Sequence, residues 1–200
     1  MGNKSTLAQT HGSLLLQGST YAVTLWLVVT LTVLAVFAIS GQSAWAQDKF
    51  RLETTAFKPG GDIPARYTCD SADVSPALTW NEPPQGTQSF ALIVDDPDAP
   101  SGTFTHWLVY DLPKNMRKLP EALSGNDEMH GGGRQGTNDF PVTGYGGPCP
   151  PPGRPHRYFF KLYALDAKLN VRPAATRREL EQAMKGHILA QAELMGKYHR

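Results

Sequence analysis

The chain has 200 residues, with 19 Lys and Arg against 18 Asp and Glu, so its net charge is +1. No basic run or aromatic platform stands out, which leaves no electrostatic case for nucleic acid as a partner. The length suits one domain with a single core, once an unusual first segment is set aside.

That segment is residues 21–39, YAVTLWLVVTLTVLAVFAI, which holds no charge and only threonine as polar relief. A stretch of this length can span a bilayer. It is followed by SGQSAWAQ, where Ala44 and Ala46 stand in the A-x-A arrangement that signal peptidase accepts. The pattern predicts cleavage before Gln47, with residues 1–46 as signal peptide and 47–200 as the mature domain. The alternative is an uncleaved anchor, since the apolar run is long for a secretory segment and only Lys4 precedes it as a firm positive charge. Either way the domain is expected outside the cytoplasm, and a membrane is a partner only through an uncleaved segment. The start MGNKST fits the myristoylation pattern formally, but a following export signal argues against that use.

Export changes what the two cysteines mean. Cys69 and Cys149 lie far apart, with no C-x-x-C pairing and no histidines at zinc-finger spacing, so structural zinc is disfavoured. In an oxidising compartment a disulfide is the natural state, and by loop-closure entropy it contributes on the order of 3 to 5 kcal/mol. The alternative is two separate buried thiols.

The middle of the chain reads as strands between proline and glycine turns. PALTW (76–80), SFALIVDD (89–96), THWLVYDL (105–112) and RYFFKLYALD (157–166) are short, rich in aromatic and branched residues, and bounded by turn signals. Such elements suit an antiparallel sheet packed on another layer. Between them, GGGRQG (131–136) satisfies G-x-G-x-x-G on paper, but no strand precedes it and no helix opening follows, so no dinucleotide site is expected. It is not a Walker loop either, because G-K-[ST] is missing. The remainder, GTNDFPVTGYGGPCPPPGRPHRY (136–158), reads as a long loop stiffened by proline and opened by glycine. It is either a pocket wall or a stapled surface connection.

Near the end, TRRE (176–179) is a capping box that predicts a helix starting at Arg177. Ala183, Met184, Ile188 and Leu189 lie at helical spacing, with Gly186 as a weak point. Beyond them Ala192, Leu194, Gly196 and Tyr198 alternate with polar or less apolar residues, which suits a terminal strand.

Taken together, DPDAP (96–100) before HWLV (106–109), then GYGGPCPP (144–151) and HRYFF (156–160), resemble the phosphatidylethanolamine-binding protein family. YTCD (67–70), SPALTW (75–80) and KGHILAQAELMGKY (185–198) are similar to its bacterial branch, often labelled Raf kinase inhibitor-like. The resemblance covers essentially residues 50–200 and nothing before Gln47. It implies a mainly β fold, an antiparallel β-sandwich with Greek-key connections and a few peripheral helices, here preceded by an N-terminal apolar helix. It also implies a surface pocket for small anions, phosphate and phosphoryl head groups among them. Carried onto matching positions, that pocket is Asp96, Pro100, His106, Gly147, Pro151, His156 and Tyr158. Only SGTFT (101–105) joins DPDAP to the histidine, where animal members insert a longer piece carrying an aromatic pocket residue. The C-terminal helix that flanks the pocket in animal members has no counterpart, which predicts a more open pocket.

The chemistry follows from the residue types. If Asp96 accepts from one nitrogen of His106 or His156, it fixes the tautomer and favours the protonated ring, leaving the other nitrogen to face an anion. Tyr158 adds a hydroxyl, and rigid glycine and proline walls let backbone amides approach. Either histidine alone would read as a satisfied core residue; two of them, each opening an apolar strand beside an acid and a stiff loop, point to a site. Asp98 is a further ligand candidate or only the acid of its turn. A hydrolase using Ser101 with the Asp and His cluster lacks the G-x-S-x-G elbow, and a metal site of Asp96, Asp98, His106 and His156 lacks H-E-x-x-H spacing. The expectation is therefore a binding protein with no cofactor and no enzymatic role. A module that inhibits an envelope protease or another enzyme is the alternative, its protein partner unknown.

Overall fold

The computed structural model describes residues 49–200; the expected signal peptide or anchor, its apolar helix and the cleavage point all lie outside them. The described residues are mainly β, in two antiparallel sheets with one α-helix. The smaller sheet joins β1 (Leu52–Glu53), β2 (Leu78–Trp80) and β5 (Lys118–Leu119) in the order β1-β2-β5. The larger takes β3 (Ser89–Asp96), β4 (Phe104–Pro113), β6 (Arg134–Gln135), β7 (His156–Leu165) and β8 (Ile188–Tyr198) in the order β6-β4-β3-β7-β8.

The period-2 geometry of the strands splits the larger sheet into two apolar faces. Phe90, Leu92 and Val94 of β3 and Tyr158, Phe160 and Leu162 of β7 share a cluster with Leu52, Leu78, Trp80 and Leu119 of the smaller sheet. Trp80 meets Phe90 edge-on at 5.4 Å. Ala91 and Ile93 pack on the other face with Leu108, Tyr110 and the buried side of α1 (Arg177–Met184), Leu180 and Met184. β3, buried along its whole length between these two cores, is the unbroken apolar run that its sequence shows.

The helix starts at Arg177 as the capping box requires, with the Glu179 carboxylate returning to the Thr176 amide at 2.8 Å. It ends at Met184, sooner than the apolar spacing implied. Lys185 has left helical geometry and Gly186 sits at φ +84°, so Ile188 and Leu189 open β8 as exposed residues instead of extending the helical stripe. From Ala192 onward the alternation holds, with Ala192 and Leu194 in the core.

Cys69 and Cys149 are disulfide-bonded across 80 residues of chain. The bond ties the turn after a short 3-10 segment (Ala65–Tyr67) to the proline-rich loop before β7, where the Cys69 amide also donates to the Pro148 carbonyl at 3.2 Å. GGGRQG carries β6 and no ligand loop: Gly133, at φ +99°, lies where a Cβ would come within 2.8 Å of Leu112.

Candidate functional site

The end of β3 and the starts of β4 and β7 lie at one edge of the larger sheet, because the three strands are neighbours and run antiparallel. Asp96, His156 and Tyr158 therefore continue the face occupied by Val94 and Phe160. His106 reaches that face by an irregularity. Val94 pairs with Trp107 but Asp95 pairs with Thr105, so His106 is the extra residue of a β-bulge. A bulge re-aims the side chain it carries. The ring of His106 consequently stands edge-on to Tyr158 at 5.2 Å.

These residues line a cavity of about 270 Å³ together with Ala99, Pro100, Ser101, Phe104, Phe140, Cys149, Pro150 and Pro151. At its base Asp96 accepts from His156 Nδ1 at 2.7 Å through Oδ2 and from the Asp98 amide at 2.8 Å through Oδ1. This settles which histidine the acid orients: His156, not His106. His106 Nδ1 instead donates to the Gly146 carbonyl at 2.7 Å, so the neutral ring presents Nε2 as an acceptor. Burial holds the His106 pKa below the ordinary histidine value, although the Gly146 carbonyl and the Asp96 charge pull the other way. Tyr158 is 1% exposed, and among the described residues its hydroxyl has no partner at full hydrogen-bonding distance, although the Asp96 carboxylate acts on it. Burial, reinforced by the Asp96 charge, pushes the phenol well above its usual range, so it remains an O–H donor at physiological pH.

Of the expected set, Asp96, Pro100, His106, Pro151, His156 and Tyr158 meet around the cavity, and Gly147 does not. The Gly147 amide donates to Asp73 Oδ1 at 2.7 Å, and a Cβ there would collide with that carboxylate and with the Tyr67 carbonyl. Its neighbour Gly146 is the glycine that shapes the pocket. It exchanges backbone and side-chain hydrogen bonds with His106, and a Cβ on it would lie 2.6 Å from the Phe140 ring. Asp98 is turned aside: its carboxylate accepts from Arg157 Nε and Nη2, both at 2.8 Å, and these bonds lower its pKa to about 2. The four residues considered for a metal therefore do not converge, and among the described residues no three His, Cys, Asp or Glu side chains gather as a metal would need.

The aromatic wall was not foreseen. Phe104 and Phe140 stand edge-on at 4.7 Å, and each lies near His106, at 5.2 and 5.5 Å. Asn138, 3% exposed, holds the turn that presents Phe140: its Oδ1 accepts from the Phe140 amide at 2.9 Å while Nδ2 donates to Gly144 O at 3.0 Å. The signal in the sequence was an Asn two residues before an aromatic, an Asx turn. The short SGTFT link thus leaves the pocket without an inserted aromatic but supplies one of its own in Phe104.

A β fold whose strand ends gather an acid-oriented histidine, a second histidine and a buried phenol around a small apolar-walled cavity defines a protein that holds small ligands. The family follows from comparison. A profile described as phosphatidylethanolamine-binding protein matches residues 53–199, and the chain belongs to that family. A UPF0098 protein of Aquifex aeolicus is 53% identical over 147 residues, 72% of this chain and 85% of that protein. Among solved structures, a phosphatidylethanolamine-binding protein homologue from Chlamydia trachomatis, CT736, superposes with TM-score 0.70 at 38% identity, over 77% of this chain and 99% of that one. YbcL of E. coli, titled a new member of the mammalian family, gives TM-score 0.70 at 33% identity, over 76% of this chain and 99% of its own.

Proposed function

We propose that the protein is an exported receptor for a small phosphoryl or related acidic group, bound without turnover in the Asp96 and His156 cavity. The observation that carries this reading is the Tyr158 hydroxyl, buried in the cavity wall without a close hydrogen-bond partner among the described residues. An unsatisfied buried O–H costs about 1–3 kcal/mol, a penalty that an acceptor oxygen on a ligand removes. Phosphoryl chemistry fits the remaining polar atoms. A phosphate monoester near its second pKa of about 6 carries both acceptor oxygens and a P–OH. An oxygen accepts from Tyr158, and the P–OH donates to Nε2 of neutral His106, beside the His156 ring that Asp96 holds in place. Among the described residues no lysine or arginine lines the cavity, so the singly charged ligand is preferred over the dianion and affinity falls as pH rises.

The histidines' hydrogen bonds run to Gly146 and Asp96 and neither runs to Ser101, an arrangement that supports binding over nucleophilic catalysis. Export is supported by the Cys69 and Cys149 bond, which is stable in an oxidising compartment; the two sheets with their shared core support the sandwich reading.

Calorimetric titration of the full chain with inorganic phosphate, beside His156→Ala, tests the binding reading. Saturable heat that the variant lacks supports it, and its absence from the folded protein sinks it. N-terminal sequencing of material from a native host checks the export reading, with Gln47 as the expected first residue.

A further inference from the structure

The cavity has a polar base and an apolar mouth. Pro100, Pro150, Pro151, Phe104, Phe140 and Cys149 supply the apolar part of its lining. Phe140 is 37% exposed although its turn is locked by buried Asn138, so an aromatic face is held open toward solvent beside the site. Rigid apolar faces flanking a polar pocket bury the body of a ligand whose acid group is held below.

The charges around the mouth say what that body is. A cationic head group needs an unpaired carboxylate in the cavity, and Asp96 is the acid that lines it. Asp96 is held by His156 and the Asp98 amide, and Asp98 by Arg157. Asp70 is held by Arg200 at 3.0 Å and by the Tyr198 hydroxyl at 2.6 Å. Asp139 and Asp73 accept from the Thr105 and Gly147 amides, each at 2.7 Å, which leaves their charge in place, but neither lines the cavity. What remains for a cation is the face of a phenylalanine at a solvent-exposed site, a weak attraction.

We infer that the pocket selects acids whose substituent is flat, apolar and uncharged, an aryl phosphate in place of an amino-alcohol phosphate, with Phe140 and Phe104 as the residues that set this preference. The inference rests on the phosphoryl reading of the cavity base. It makes Phe140 the groove wall against which an aromatic ring stacks, while Gly146 leaves the room for that wall to exist.

The test is titration calorimetry of the full chain with inorganic phosphate, phenyl phosphate and phosphoethanolamine at one pH. Phenyl phosphate is expected to bind about tenfold more tightly than either of the others, as burial of one aromatic ring between apolar faces gives. Phe140→Ala is expected to bring the ratio of phenyl phosphate to inorganic phosphate affinity close to one, with Phe104→Leu as the second variant should the first not fold. Phosphoethanolamine binding as tightly as phenyl phosphate overturns the inference and leaves the phosphoryl reading standing. A ratio that survives in both variants overturns the assignment to these residues. If none of the three ligands binds the folded protein, the phosphoryl reading fails and this inference with it.

Discussion

Asp95 and Asp96 are adjacent on β3, and the pleat sends them to opposite faces of the larger sheet. Asp95, fully buried, accepts from Lys161 Nζ at 3.0 Å and pairs with Arg177 at 3.0 Å. Both partners carry permanent charge, and α1 closes the face over them. Asp96 is almost as buried, at 3% exposure, but its partner is the imidazole of His156, and the space beyond it is a cavity. The same side chain, one residue apart, thus serves as the counter-ion of a closed cluster and as the orienting acid of an open one. Burial of an acid alone does not mark a site; what marks it is whether the partner leaves polar atoms unmatched.

Substitution separates the two roles. Asp95→Ala strands Lys161, which is largely buried, and leaves Arg177 with Glu181 alone; by analogy with broken buried ion pairs it is expected to cost about 3 kcal/mol in urea unfolding, with phosphate affinity of the folded fraction unchanged. Asp96→Asn should cost less stability, about 1–2 kcal/mol, yet lower phosphate affinity at least about tenfold. Equal losses of binding in the two variants would erase the distinction.

Gly146→Ala comes next. The added methyl meets the Phe140 ring at 2.6 Å, an overpacking expected to cost about 1–3 kcal/mol and to weaken ligand binding along with it. Gly153→Ala is the control, since a Cβ there meets nothing within 4 Å, although its φ of +146° leaves some backbone strain. Tyr158→Phe is sharper because its two readouts move in opposite directions. It removes a buried hydroxyl without a close partner among the described residues, so stability in urea unfolding should hold or rise, by up to about 1 kcal/mol, while phosphate affinity drops. A stability loss comparable to a broken hydrogen bond would show that the hydroxyl has a structural partner after all.

The pH dependence is smaller. Burial lowers the folded-state pKa of His106 below its ordinary 6.5. The unfolded chain therefore binds the proton more readily, and the stability that neutral His106 supplies is fully present above pH 6.5 and is lost as pH falls through the folded value. Unfolding curves from pH 7.5 down to 4.5 should show this decline, flattened in His106→Gln. The least effect belongs to Asp98→Asn. Its Arg157 partner is half exposed, so the pair is screened by solvent and phosphate affinity should stay within about twofold; a larger change would return Asp98 to the ligand set.

Much of the site was legible because its residues sit beside strong local signals. DPDAP, HWLV and HRYFF each pair a polar residue with the onset of an apolar run, and those onsets are the strand ends where the cavity lies. The capping box fixed the start of α1 through a contact three residues long. Where local rules failed, a distant contact had decided. Ile188 and Leu189 fit a helical stripe, but pairing of β8 with β7 along eleven residues outweighs one more turn after Gly186. Gly147 and Gly146 are indistinguishable in GYGGP; only the position of Phe140 tells which one packs against that ring. Phe140 itself sits 34 residues from His106 and meets it through the Asn138 turn.

Local sequence is enough for β2, β3, β4, β7 and β8, the helix start, the residue types of acid, histidine and tyrosine, and the conditions for a disulfide, since these follow from periodicity, capping and residue type over short spans; the two-residue strands β1, β5 and β6 carry no such signal. The tertiary structure alone decided which histidine Asp96 orients, that a bulge turns His106 onto the pocket face, and that a phenylalanine wall closes one side of it. Those outcomes depend on strand register and on a single missing Cβ, quantities set by contacts between segments tens of residues apart.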